Sequence, residues 1–281
     1  MRDVLSSSDI SIRNCSLHTQ KIKEIGMSGY SAFARYYDEL TANIDYRKRG
    51  EYFHAIIQKF KTTKENILLD LACGTGSISE VMADLGYDVV GVDNSDEMLN
   101  IALDKKFVSG RNIQYLCQDM RKLDMFGTID IAVCALDSVN HLASLDDVRK
   151  TFENVAFFSE IGGLFIFDVN TLYKHRNVLA NNTFTYETED VFCVWENTLV
   201  PETDEVKMNL EFFEREANGM WSRSSDGFSE KAYSEEEIER LLSETGFEVL
   251  AKYGDDTFDP PAPDSQRIVY AARCIRSGQH F

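Results

Sequence analysis

The stretch Ile67-Leu68-Leu69-Asp70-Leu71-Ala72-Cys73-Gly74-Thr75-Gly76 constrains this chain more than any other. A short apolar run ends in an acidic residue, turns through two glycines and opens into a helix-like segment from Ser77. The run is short for a buried helix and fits a parallel strand covered on both faces. Glycine at 74 and 76 removes two Cβ atoms, which lets a ligand lie against the backbone of the turn. In doubly wound sheets such a turn sits at the carboxyl end of a strand, where ligands bind.

The rest of the chain fits around that turn. Tyr30 to Phe60 has helical spacing, with Phe33, Tyr36, Tyr37 and Leu40 on one face and Tyr52, Ile56, Ile57 and Phe60 recurring similarly. Strands are expected at Asp88–Asp93, Ile113–Cys117, Ile129–Ala135 and Gly163–Asp168, with helices between them, one capped by Ser95 and one over Leu145–Phe158. This β-α-β-α rhythm predicts one parallel sheet with right-handed crossovers. Aromatic-rich strand segments follow at Val191–Val200 and Val206–Arg215, with a hairpin signal at Asn218-Gly219. They read as an antiparallel lid over residues 181–228, inserted into a domain formed by 27–180 and 229–281; residues 1–26 read as a loose extension. Ser234-Glu235-Glu236-Glu237 is a capping box, and Phe247–Tyr253 and Ile268–Cys274 supply two last strands.

Charge narrows the function. A formal net charge of −18 repels polyanions, and Lys and Arg form no basic stripe, so a small molecule is favoured over nucleic acid. No apolar run reaches the roughly 20 residues that span a bilayer, and the polar amino terminus lacks a signal core, so the expected place is the cytoplasm. The six cysteines show no metal-ligand spacing and read as free thiols. The reading admits a homodimer.

Two readings compete for the glycine turn. A nicotinamide-dependent oxidoreductase wants a third glycine, but Gly74-Thr75-Gly76-Ser77-Ile78-Ser79 lacks it. Asp93 ends the second strand, where a carboxylate can accept both ribose hydroxyls; Asp119 follows the third, where it can accept from an adenine amino group. Met98 offers an apolar surface for a purine. Together these describe an adenosine site with no phosphate to neutralise. A non-catalytic cofactor-binding protein is the remaining alternative.

Here the sequence resembles class I S-adenosylmethionine-dependent methyltransferases: Asp70-Leu71-Ala72-Cys73-Gly74-Thr75-Gly76 is similar to that family's first motif. The nearest group is the bacterial small-molecule enzymes with an inserted antiparallel lid, including amino-sugar and glycine N-methyltransferase-like members. The resemblance implies a doubly wound α/β sheet of order 3-2-1-4-5-7-6 with strand seven antiparallel, and methyl transfer to nitrogen or oxygen of a small-molecule acceptor. It implies that Asp93 holds the ribose, Met98 and Met120 sandwich adenine, and Asp119 binds its amino group. Backbone at Ala72, Gly74 and Leu136 would approach the methionine portion, with Tyr30 and Tyr37 closing over it. Asp70, Gly76, Asn94 and Gln118 complete the implied cofactor set.

His141 is the candidate base, and Asp137 and Asn140 could position an amine; Tyr173, Tyr186 and Trp195 are candidate walls of the acceptor pocket. The acids Glu187, Glu189, Asp190 and Glu196 suggest a cationic or amine acceptor. Asp259-Pro260-Pro261-Ala262 is similar to the Asp-Pro-Pro-Tyr loop of DNA amino-methyltransferases, but it falls between the last two strands, lacks the tyrosine and reads as a turn.

Overall fold

The computed structural model of the protein describes residues 31–276; Tyr30 and the expected extension 1–26 lie outside the described residues. The helical pattern before the first strand divides in two, α1 (Ser31–Leu40) and α2 (Tyr46–Phe60). The break falls at Asp45, whose side chain accepts from Lys48 N at 2.9 Å and starts α2 afresh. Then follow β1 (Ile67–Leu71), α3 (Ser77–Asp84), β2 (Asp88–Asp93), α4 (Asp96–Ser109), β3 (Ile113–Cys117), β4 (Ile129–Cys134), α5 (Leu145–Phe158) and β5 (Ser159–Asn170). After a π-type turn at Lys174–Leu179 come β6 (Thr183–Glu187), β7 (Val191–Val200), β8 (Glu205–Arg215) and β9 (Trp221–Lys231). The chain closes with α6 (Glu235–Glu244), β10 (Phe247–Gly254) and β11 (Arg267–Cys274).

The first sheet has the order β3-β2-β1-β4-β5-β11-β10, parallel except for β11, which runs antiparallel to both neighbours. This is the implied 3-2-1-4-5-7-6 arrangement. Its central strands are apolar at successive positions because helices cover both faces. Leu68, Ile131, Val133 and Ile166 pack towards Phe53, Ile56 and Met82 of α2 and α3. Leu69, Ala132, Phe165 and Phe167 pack towards Phe152 of α5 and Leu241 of α6.

The second sheet, β6-β7-β8-β9, is antiparallel throughout and continues to Lys231, past the expected edge at 228. The Asn218-Gly219 turn joins β8 and β9, with Gly219 at φ +79°. Along β8 only alternate residues are buried, Val206, Met208, Leu210 and Phe212, so one face is covered and the other is wet. The covered face packs on Phe33 and Leu40 of α1 and Met98 of α4. Helix α1 is thus wedged between the two sheets, over the carboxyl ends of β1 and β2. Cys73, Cys117, Cys134, Cys193 and Cys274 are free thiols. Among the described residues, no helix is long and apolar enough to cross a membrane.

Candidate active site

The turn after β1 is built from left-handed backbone: Ala72, Gly74 and Gly76 have φ of +57°, +53° and +74°. The two glycines do different work. A Cβ on Gly74 would meet nothing within 4 Å, and its backbone lines the large cavity described below. A Cβ on Gly76 would lie 2.3 Å from Tyr115 Oη and 3.0 Å from Ala102 Cβ. Gly76 is therefore closely packed under the turn and is not on the wall of that cavity. Asp70 is also off the cavity: it is 1% exposed and accepts from Ser79 Oγ at 2.5 Å, and burial raises its carboxyl to about 6.

Asp93 pins the turn to the next helix. Its Oδ2 accepts from Gly74 N at 2.8 Å and its Oδ1 from Ser95 N at 2.9 Å. Burial pushes this carboxyl up, while those backbone donors oppose the rise. A carboxylate has about four acceptor sites, so capacity for further donors remains. Above the turn, Asp38 of α1 accepts from Thr75 Oγ1 at 2.7 Å and pairs with Lys105 at 2.6 Å.

A cavity of about 560 Å³ opens between the strand ends, α1 and the second sheet, within the range of small-molecule sites. It brings together Tyr37, Ala72, Gly74, Asp93, Asn94, Met98, Gln118, Asp119, Met120, Leu136, Asp137, Asn140, His141 and Trp195 of the sequence set. Asp119 is not free: its carboxylate is gripped by Arg121 at 2.6–3.0 Å, which holds its pKa below the ordinary range. Gln118 is also engaged, its amide pairing in both directions with the Asp124 backbone at 2.8 and 2.9 Å. Tyr37 is half-buried, and desolvation of its hydroxyl drives its phenol well up.

Other expected residues lie elsewhere. Tyr173 is 37% exposed and off the cavity wall. Tyr186 stands behind Trp195, ring centroids 6.1 Å apart, and does not reach the wall. Glu189 and Asp190 line a separate outer groove, and Glu187 and Glu196 are exposed, so the anticipated acid cluster does not face the cavity. Asp259-Pro260-Pro261-Ala262 is loop between β10 and β11.

At the far end of the cavity, Leu136 and Asp137 again adopt left-handed backbone, φ +58° and +54°. Backbone strain of this kind persists only where the surroundings over-determine it. Here Asp168, fully buried, accepts from Leu136 N at 3.1 Å and Asp137 N at 2.5 Å. Asp168 is held in turn by Arg49 at 2.7 Å and Arg267 at 2.6 Å, and Arg267 also grips Asp137 at 2.6 Å. Burial works against ionisation of Asp137, but Arg267, Lys174 and His141 outweigh it and lower its pKa. Asn140 is a tie between the sheets: its Nδ2 donates to the carbonyls of Asn170 and Lys231 at 3.2 and 2.9 Å, and its Oδ1 accepts from Asn170 N at 2.8 Å. His141 lies against Phe228, centroids 5.2 Å apart.

The sequence reading missed Glu205, Phe228, Glu230, Lys231 and Arg267, which line the same cavity. They come from the second sheet and β11, and nothing in their strand periodicity marks which side chains face a ligand.

Residues 68–163 match the family described as methyltransferase domain. YqeM of Bacillus subtilis (strain 168), which carries a methyltransferase name, is 31% identical over 245 residues, covering 87% of this chain and 96% of its own. The glycine/sarcosine N-methyltransferase of Halorhodospira halochloris is 28% identical over 214 residues, 74% of each chain. The crystal structure of an S-adenosylmethionine-dependent methyltransferase from Clostridium acetobutylicum ATCC 824 is similar at TM-score 0.78 and 33% identity, covering 87% of this chain and 98% of that one. The strand order, the open turn at Gly74 and these relatives agree: the chain belongs to the class I S-adenosylmethionine-dependent methyltransferases, and S-adenosylmethionine is its cofactor.

Proposed function

We propose that the enzyme methylates nitrogen or oxygen of a small molecule enclosed between the strand ends and the second sheet. The observation that carries this reading is the cavity itself: it continues past Leu136 to His141, Trp195 and Phe228 under a roof of α1 and β9. The net charge of −18 favours a small acceptor over a nucleic acid.

When bound, S-adenosylmethionine supplies an electrophilic methyl group on a sulfonium. In this reading Asp93 accepts from the ribose hydroxyls, Met98 and Met120 flank the adenine, and Asp119, with Asn94 and Gln118 at its edge, meets the adenine amino group. The backbone of Ala72, Gly74 and Leu136 borders the methionine portion and Tyr37 covers it, while Asp70 and Gly76 support the turn from behind. Aligning an acceptor with the methyl group is the main task, and orientation of this kind can supply roughly 7–11 kcal/mol. Aromatic faces at Tyr37, Trp195 and Phe228 add about 0.5–2 kcal/mol towards a cation near them. In this reading His141 takes a proton from the acceptor.

The test is methyl transfer from methyl-labelled cofactor, offered in parallel to a panel of small amines and alcohols, to transfer RNA and to protein extract. Label is expected in low-mass products. Label confined to RNA or protein would contradict the reading.

A further inference from the structure

Glu230 has few partners for so buried a carboxylate. It sits on β9, 4% exposed, on the cavity wall. Among the described residues its one side-chain hydrogen bond comes from Asn170 Nδ2 at 2.9 Å. Two imidazoles face it beyond hydrogen-bond reach, His141 Nε2 3.9 Å from Oε1 and His175 Nε2 3.7 Å from Oε2. His175 is fully buried, its Nδ1 donates to the Asp204 carbonyl at 2.9 Å, and its Nε2, aimed at Glu230, has no hydrogen-bond partner. The nearby basic groups are largely committed: Arg49 and Arg267 to Asp168, Asp256 and Asp137, while Lys174, within electrostatic reach of Glu230 but not hydrogen-bonded to it, donates to Asn170 Oδ1 at 2.8 Å. A buried anion in this condition calls for a cation or further donors.

We propose that the missing partner is the acceptor, an alkylammonium whose nitrogen sits between Glu230 Oε1 and His141 Nε2. This rests on the methyl-transfer reading above and names its substrate class. A nitrogen about 2.9 Å from both atoms would see them about 85° apart, within reach of two N–H donors. The Phe228 ring beside His141 offers its face to the alkyl cation. Glu230 recognises the charge. His141, whose side chain is 30% exposed, takes one N–H proton at Nε2 and passes it to solvent. The freed nitrogen pair forms the N–C bond to the methyl group, the S–C pair leaves with sulfur, and an N-methylammonium results.

Asp137, His141 and Glu230 also present ligand-type atoms within 4.8 Å of one another, as a divalent cation would need. Arg267, 2.6 Å from Asp137, already occupies the carboxylate such an ion would need.

The experiment saturates the full chain with S-adenosylhomocysteine, whose sulfur is uncharged, and titrates n-butylammonium or 1-butanol, read by ligand-observed NMR. The ammonium is expected to bind at least about tenfold more tightly, as a charge-assisted contact should. Glu230→Gln should erase that preference with S-adenosylhomocysteine affinity unchanged, which also shows the variant is folded. His141→Gln should weaken the preference, and Glu202→Gln on an exposed turn should leave it intact. Equal binding of the two probes, or a preference that survives Glu230→Gln, would overturn the inference while the cofactor reading stands. So would stoichiometric Mn²⁺ binding lost in Glu230→Gln, which marks a metal centre. Failure of S-adenosylhomocysteine to bind the unaltered chain would sink the methyl-transfer reading itself.

Discussion

Gly74 and Gly76 look equivalent in sequence and are opposite in consequence. A methyl group at 76 meets Tyr115 and Ala102, whereas one at 74 projects into open space beside the cavity. Gly76→Ala should therefore lower stability by about 2–4 kcal/mol, from overpacking and left-handed strain together. Gly74→Ala should cost only about 1 kcal/mol but weaken cofactor binding. Denaturant melts and cofactor calorimetry on both variants check this, and equal stability losses would contradict it. Asp70 makes a second residue-scale prediction. Burial raises its carboxyl from 3.8 to about 6, so the folded protein prefers the protonated acid. Its contribution to stability is complete below about pH 4 and declines as pH rises to about 6, then levels. Asp70→Asn cannot ionise, so its stability relative to the unaltered chain should rise by roughly 2–3 kcal/mol from pH 4 to pH 7. A constant difference across that range would contradict the buried charge.

At the scale of elements, strands β1 to β5 were legible because each is a short apolar run flanked by turn residues, with helical patterns between most of them; between β3 and β4 the structure has only a short turn at Met120–Lys122. The antiparallel second sheet was legible from its strand patterns and hairpin, although its last strand runs on to Lys231. The break at Asp45 was hidden because both flanking segments carry helical apolar spacing and no glycine or proline separates them. Asp93 could be read as a strand-end acid, and the grip of Arg121 on Asp119 lies within two residues, yet the commitment of Asn140 to two distant backbones is a tertiary fact that spacing does not carry. Glu230 escaped for a related reason: its strand belongs to the second sheet, but its carboxylate serves the first sheet's cavity. Asn140 links these two elements. Asn140→Ala strands the amide and carbonyl of Asn170 and the carbonyl of Lys231, and should cost about 2–4 kcal/mol in urea unfolding. A loss below about 1 kcal/mol would show that the tie between the sheets is dispensable.

For the molecule as a whole, function depends on three layers meeting at one place. The parallel sheet delivers the strand-end turns, the second sheet delivers Trp195, Phe228 and Glu230, and α1 fills the angle between them. The ion pairs from Arg49 and Arg267 to Asp168 fasten the strained Leu136-Asp137 turn where these layers converge. The most direct measurement is a crystal structure of the full chain with S-adenosylhomocysteine. The ribose should meet the Asp93 carboxylate, and the sulfur should open towards the space between His141 and Glu230. A cofactor bound elsewhere, or one whose sulfur points away from that space, would contradict the account.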